Sequence, residues 1–107
     1  VIADNASSVR FITGGRMARL DNVDVRNLGV VLEKNGEIVD VGAGAAVLGH
    51  PATSMAMLAN MLAERSEHIP AGSFVMTGGI TAAISVEKGD SILVRYQDLG
   101  TVSARFV

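Results

Sequence analysis

The sharpest alternation of apolar and polar positions lies in "LGVVLEKNGEIVDVGAG", residues 28–44. Two β-rich runs, 28–34 and 37–43, flank Asn35-Gly36. Both residue types tolerate positive φ, as the two central positions of a type I′ turn require, so the pattern predicts a tight antiparallel hairpin. A period of two puts Val31 and Glu33 on one face and Val30, Leu32 and Lys34 on the other. Further along, Met55, Leu58, Ala59 and Leu62 recur at i, i+3, i+4 and i+7, which makes one apolar stripe on a helix. Pro51 suits the first helical position, where its missing N–H costs nothing. His50 is placed to cap the helix start, Glu64, Arg65 and Glu67 supply a wet end, and Pro70 prevents continuation. The spacing predicts a helix over 51–66, its stripe buried on a sheet and Glu64 and Glu67 in solvent.

Most of the remaining pattern is β. Residues 1–13 read as an apolar strand, a polar turn and a second short strand through Val9, Phe11 and Thr13, broken by Gly14-Gly15. "RMARLDNVDVRNL" carries charge without a strong period and reads as a surface connection. "SFVMTGG" (73–79) and "ITAAISV" (80–86) read as strands, and "EKGD" turns the chain into "SILVRYQ". "DLG" turns it back into "TVSARFV". Both last runs alternate as half-buried antiparallel strands do. The expected fold is α+β and β-dominated, a mixed antiparallel sheet with one main helix, in a single domain over 1–107.

Composition narrows the partners. Three Phe, one Tyr and no Trp leave the core to aliphatic side chains, and 49 % hydrophobic against 19 % charged residues excludes a disordered chain. The net charge of −2 and scattered basic residues argue against nucleic acid as a partner. Cysteine is absent, so there are no disulfides or thiolate metal sites, which fits a reducing cytoplasm. No apolar run approaches the ~20 residues that span a bilayer, and no signal segment opens the chain. A cytoplasmic protein without membrane attachment is expected.

The candidate chemistry is sparse. There is no Glu-x-Glu pair, no His-x-x-x-His and no Asp-x-Asp loop to hold a metal. His50 and His68 have no evident Ser or Asp partner. Asp4, Asn5 and Ser7 stand at a strand end, either as binding groups or as residues that cap a turn. "MTGG" offers the Thr77 hydroxyl and the bare backbone of Gly78 and Gly79 to an anion, or else bends the chain between strands. "GAGAAVLGHP" leads into a helix start, but without the spacing of either phosphate fingerprint, which favours close packing.

Taken in order, "VIADNASS", "LGVVLEKNGEIVDVGAGAAVLGHP", "MLANMLAERSEHIPAGSFVMTGGITAAI" and "GDSILVRYQDLGTVSARF" resemble one family. The resemblance is to the carboxyl-terminal portion of the 4-oxalocrotonate decarboxylases, close relatives of the 2-hydroxypenta-2,4-dienoate hydratases in the fumarylacetoacetate hydrolase superfamily. It covers essentially the whole chain. "VMTGGIT" and "GAGAAVLGHP" lean toward the decarboxylase, whereas "ADNAS" and the Asn-Gly region are shared with the hydratase. The chain begins with Val1 in a strand-like run, and the resemblance implies that 1–107 is the carboxyl-terminal part of a longer catalytic domain with a partial fumarylacetoacetate hydrolase-like fold.

The resemblance further implies Mg²⁺ as cofactor. The metal would act as an electron sink on the 1-carboxylate and 2-oxo groups of 2-oxo-3-hexenedioate, which loses CO₂ to give 2-hydroxypenta-2,4-dienoate. No residue here matches the family's acidic motif, so the metal ligands are expected upstream and no residue of this chain is assigned to the metal. Asn5 and Ser7 would line the pocket, and Thr77, Gly78 and Gly79 would form the opposite wall near the oxo-acid end. Catalytic residues are not assigned. The implied partners are a small 2-oxo dicarboxylic acid and a hydratase subunit or further copies of the same chain. Two alternatives stand beside the decarboxylase: the hydratase of the next step, and a non-catalytic β-rich assembly module. Ser7 and Thr77 are expected to face a common cleft, and the chain alone is expected to be inactive.

Overall fold

The structure is a computed structural model that describes residues 9–107. Its regular elements are strands β1 (Gly29–Lys34) and β2 (Glu37–Ala43), helix α1 (Pro51–Ala63), and strands β3 (Ser91–Tyr96) and β4 (Gly100–Arg105). Short 3-10 turns at Leu20–Asn22 and Gly44–Ala46 lead into the first strand and away from the second. The four strands form one antiparallel sheet in the order β2-β1-β3-β4. This is the expected α+β arrangement of one helix and an antiparallel sheet.

The hairpin forms as the sequence predicts. Asn35 has φ 53° and Gly36 φ 84°, so both central residues take the left-handed region that a type I′ turn demands. Pairing runs from Gly29 opposite Ala43 to Lys34 opposite Glu37, with a bulge where Val39 has no partner between Asp40 and Ile38. The alternation also holds: Val30 and Leu32 are buried and, with Leu28 and Val47, make up the apolar core among the described residues. By register, Val94 and Tyr96 of β3 stand beside them on the same face.

The opposite face carries Val31, Glu33, Leu93 and Arg95. There Arg95 Nε donates to Glu33 Oε2 at 2.7 Å. This face is open, with Ile38 and Val41 largely exposed on β2.

Helix α1 begins at Pro51, and the His50 side chain accepts a hydrogen bond from the Ala52 N–H at 3.0 Å. It ends at Ala63 rather than at 66. Ser66 takes a left-handed φ of 57°, its N–H donates to Ala63 O, and the Glu67 N–H donates to Leu62 O at 2.9 Å. That pair of bonds is a Schellman closure with serine in glycine's usual place. Glu64 and Glu67 are exposed as expected, but the predicted stripe is not buried. Leu58 and Leu62 are half-buried, while Met55 and Ala59 are exposed. Residues 80–85 lie along the covered face, where they meet Gly42, Asp40 and Lys34, and α1 packs little on the strands.

That segment corrects a second expectation. Residues 73–79 and 80–86 take no regular structure, with a bend at 80–81, and neither joins a ladder. Their polar groups go to side chains instead. Ser54 Oγ donates to Thr77 O, the Ala82 N–H donates to Asp40 Oδ2 at 3.0 Å, and Lys34 Nζ donates to Ser85 O at 3.0 Å. Ile80 crosses β2 at Gly42, where a Cβ would come within 2.8 Å of its backbone oxygen. The second expected strand, 9–13, is likewise without a ladder. Phe11 stacks on Phe74, with ring centroids 4.7 Å apart. The strand expected over 1–8 lies outside the described residues.

Candidate substrate-binding wall

Thr77, Gly78 and Gly79 are held at the junction of α1, β2 and the Gly44–Ala46 turn. Thr77 is half-buried and borders an apolar cavity of about 220 Å³ with Pro51, Met55, Ile80 and Tyr96. Its carbonyl accepts from Ser54 Oγ at 2.6 Å, which ties this segment to the first turn of α1. Gly78 has φ 131°, a conformation that side chains rarely adopt. A Cβ there would find ordinary contact with Val47 at 3.4 Å, so the backbone angle rather than space selects glycine. Gly79 is exposed beside it.

Neither run that flanks "MTGG" is in a ladder, and the chain bends at 80–81, directly after the glycine pair. Thr77 borders the apolar cavity, and Gly78 and Gly79 beside it are exposed. The expected facing residues, Asn5 and Ser7, lie outside the described residues, as does Asp4.

The "GAGAAVLGHP" loop is a packing device. A Cβ on Gly44 would lie 1.6 Å from the Val25 carbonyl oxygen, so chain 24–28 passes directly over it. The Gly44 N–H donates to Leu28 O and the Ala45 N–H to Arg26 O. At the helix start His50 Nδ1 already serves the Ala52 N–H, which makes this histidine a cap and leaves it no evident ligand role.

Two carboxylates hold their protons less tightly than usual, and neither belongs to the wall. Asp90 is lowered chiefly by the hydrogen bond from the Asn35 side chain, then by the Glu87 N–H and by Lys34. Asp24 is lowered by the side-chain and backbone N–H groups of Asn27. Among the described residues no group of three or more His, Cys, Asp or Glu side chains could hold a metal ion. The donor set here therefore does not fit Mg²⁺. Ser54 and Asp40 are the contributors that sequence reasoning missed, and each acts through a side-chain bond to a distant backbone group.

No family model matches the chain. It is 75 % identical over all 107 residues to 4-oxalocrotonate decarboxylase of Pseudomonas putida, covering 40 % of that protein. The chain resembles the 4-oxalocrotonate decarboxylases over its whole length. The structure of 4-oxalocrotonate decarboxylase from Pseudomonas putida G7, complexed with magnesium and adipate, superposes with a TM-score of 0.93 at 74 % identity. That match covers 99 % of this chain and 40 % of the solved one, so the fold is that of the matched part of the decarboxylase. The 2-oxo-hept-4-ene-1,7-dioate hydratase of Escherichia coli is more distant, 39 % identical over 106 residues, again with 40 % of its length covered. The chain thus spans about two-fifths of the curated relatives it matches. Among the described residues no helix is long and apolar enough to cross a membrane.

Proposed function

We propose that this chain forms part of the active site of a decarboxylase acting on 2-oxo-3-hexenedioate. The observation that carries the reading is the 75 % identity to a decarboxylase across every residue, against 39 % to a hydratase. The chain would be the carboxyl-terminal part of a longer catalytic domain, working in the cytoplasm in aromatic meta-cleavage degradation. In the reaction the C–C bond to the distal carboxylate breaks and CO₂ leaves. The released electron pair moves through the enone onto the 2-oxo oxygen, and the dienolate takes a proton from water there to give 2-hydroxypenta-2,4-dienoate.

The residues of this chain act by binding and orienting. The Thr77 hydroxyl and the peptide groups of Gly78 and Gly79 serve the oxo-acid end of the substrate, and Asn5 and Ser7 supply the facing hydrogen bonds. The apolar cavity beside Thr77 accommodates carbon rather than charge and keeps water from the chain of the diacid. The divalent cation that accompanies the solved decarboxylase finds no fitting ligand set among the described residues, so no step is assigned to it here.

The test is a chimera in which these 107 residues replace the matching stretch of the Pseudomonas putida decarboxylase. Mg²⁺-dependent CO₂ release from 2-oxo-3-hexenedioate is the expected result. Hydration of 2-hydroxypenta-2,4-dienoate without CO₂ release would transfer the chain to the hydratases. A folded chimera with neither activity would leave an assembly module.

A further inference from the structure

Resting on that reading, we propose that Ser54 is a positioning residue, which orients the Thr77–Gly78 peptide for the substrate through its bond to Thr77 O. A helical serine ordinarily turns its hydroxyl back on its own helix or out to water. Here Ser54 Oγ reaches a carbonyl 23 residues away, at 2.6 Å and partly buried. The end of the helix that holds Ser54 is itself fixed. Pro51 sets the first turn, His50 caps it, and the His50 N–H donates to Val47 O at 2.9 Å. Val47 is a core residue, 5 % exposed, and it also stands against Gly78. The wall is therefore held from two sides by one rigid unit, through Ser54 at Thr77 and through Val47 at Gly78.

The chemical consequence follows from the planar peptide. Thr77 C=O and Gly78 N–H belong to one peptide unit and point in opposite directions. Holding the carbonyl toward α1 directs the Gly78 N–H away from the helix. A hydrogen bond into the carbonyl also polarises the amide and strengthens its N–H as a donor. Gly78, at φ 131°, has wide freedom of rotation once that carbonyl is released. Ser54 thus converts a flexible glycine pair into a fixed donor array without touching the substrate.

The test uses the full-length chimera with Ser54→Ala and Ser54→Thr. Loss of the hydroxyl is expected to raise KM for 2-oxo-3-hexenedioate roughly tenfold, the scale of one hydrogen bond, with kcat changed much less. Threonine keeps the hydroxyl and is expected to restore KM to within about twofold. A fall in melting temperature with KM unchanged in Ser54→Ala would overturn the proposal, and so would an equal rise in KM for both variants. Hydrogen exchange of the peptide spanning Gly78 and Gly79 reads the same role without turnover. Faster exchange in Ser54→Ala than in the parent supports it, and identical exchange overturns it. An inactive parent chimera sinks the decarboxylase reading, while the exchange measurement still decides the role of Ser54.

Discussion

Gly44 and Thr77 are both small residues in loops, yet substitution should affect them in opposite ways. At Gly44 the obstacle is the Val25 carbonyl, a backbone atom that cannot rotate aside. Gly44→Ala should destabilise the fold by about 3 kcal/mol, at the upper end of overpacking costs, as read by urea denaturation of the chimera. Thr77→Val keeps shape and loses a hydroxyl. In the chimera it should leave the melting temperature nearly unchanged and cost roughly 1–3 kcal/mol in kcat/KM if the lost bond is buried with substrate. The His50 cap was legible in the sequence because a capping residue and its partner N–H are two positions apart. The roles of Ser54 and Asp40 were not. Each bonds a backbone group more than 20 residues away, and no local spacing announces such a partner.

The same division between local and distant holds for the elements. The β1–β2 hairpin was legible down to its turn, since Asn35-Gly36 both chooses the turn type and sets the register. The 73–86 segment was misread because alternation is a local signal, while a strand also needs backbone pairing with a distant segment, which no local pattern announces. The order β2-β1-β3-β4 leaves open edges at β2 and β4, yet 80–85 joins neither and bonds instead to the Asp40 and Lys34 side chains on the covered face. The helix stripe failed because periodicity marks an apolar face without naming what packs on it, and α1 makes few contacts with the strands.

Around the hairpin, Asp90 joins the Asn35 side chain, the Glu87 N–H and Lys34, so it fastens the β1–β2 turn to the start of β3. Its folded pKa lies below that of the unfolded chain. The stabilisation is therefore present above the ordinary aspartate range and is lost as pH falls through the folded value. In the chimera, Asp90→Asn should lower the melting temperature at pH 7 and make its decline below about pH 4 shallower, as thermal melts across that range would show.

For the whole molecule, surface is the decisive quantity. The chain exposes 8136 Å², whereas a compact monomer of its mass would expose roughly 5,700 Å². Its radius of gyration is 15.1 Å against about 13 Å for a compact chain of this length. The open sheet face with Ile38 and Val41 is part of that surplus. Produced by itself, the chain should bind a hydrophobic dye such as ANS and melt without a sharp transition. It should also show no Mg²⁺-dependent loss of 2-oxo-3-hexenedioate, since no carboxylate cluster among its described residues suits the ion.

The sheet order has a consequence during synthesis. β1 pairs on one side with β2, its immediate successor, and on the other with β3, where Lys34 meets Ile92 and Val30 meets Tyr96. A hairpin closes within about 10 μs once its residues are free. The ribosome, at about 5–20 residues per second, needs roughly 3–12 s to make the stretch that supplies β3. For those seconds the inner strand of the finished sheet is an edge, with its hydrogen-bonding groups open to any neighbouring nascent chain. Glu33 and Lys34 sit at the end of that edge, where their charges discourage pairing with a second copy until the proper partner leaves the exit tunnel.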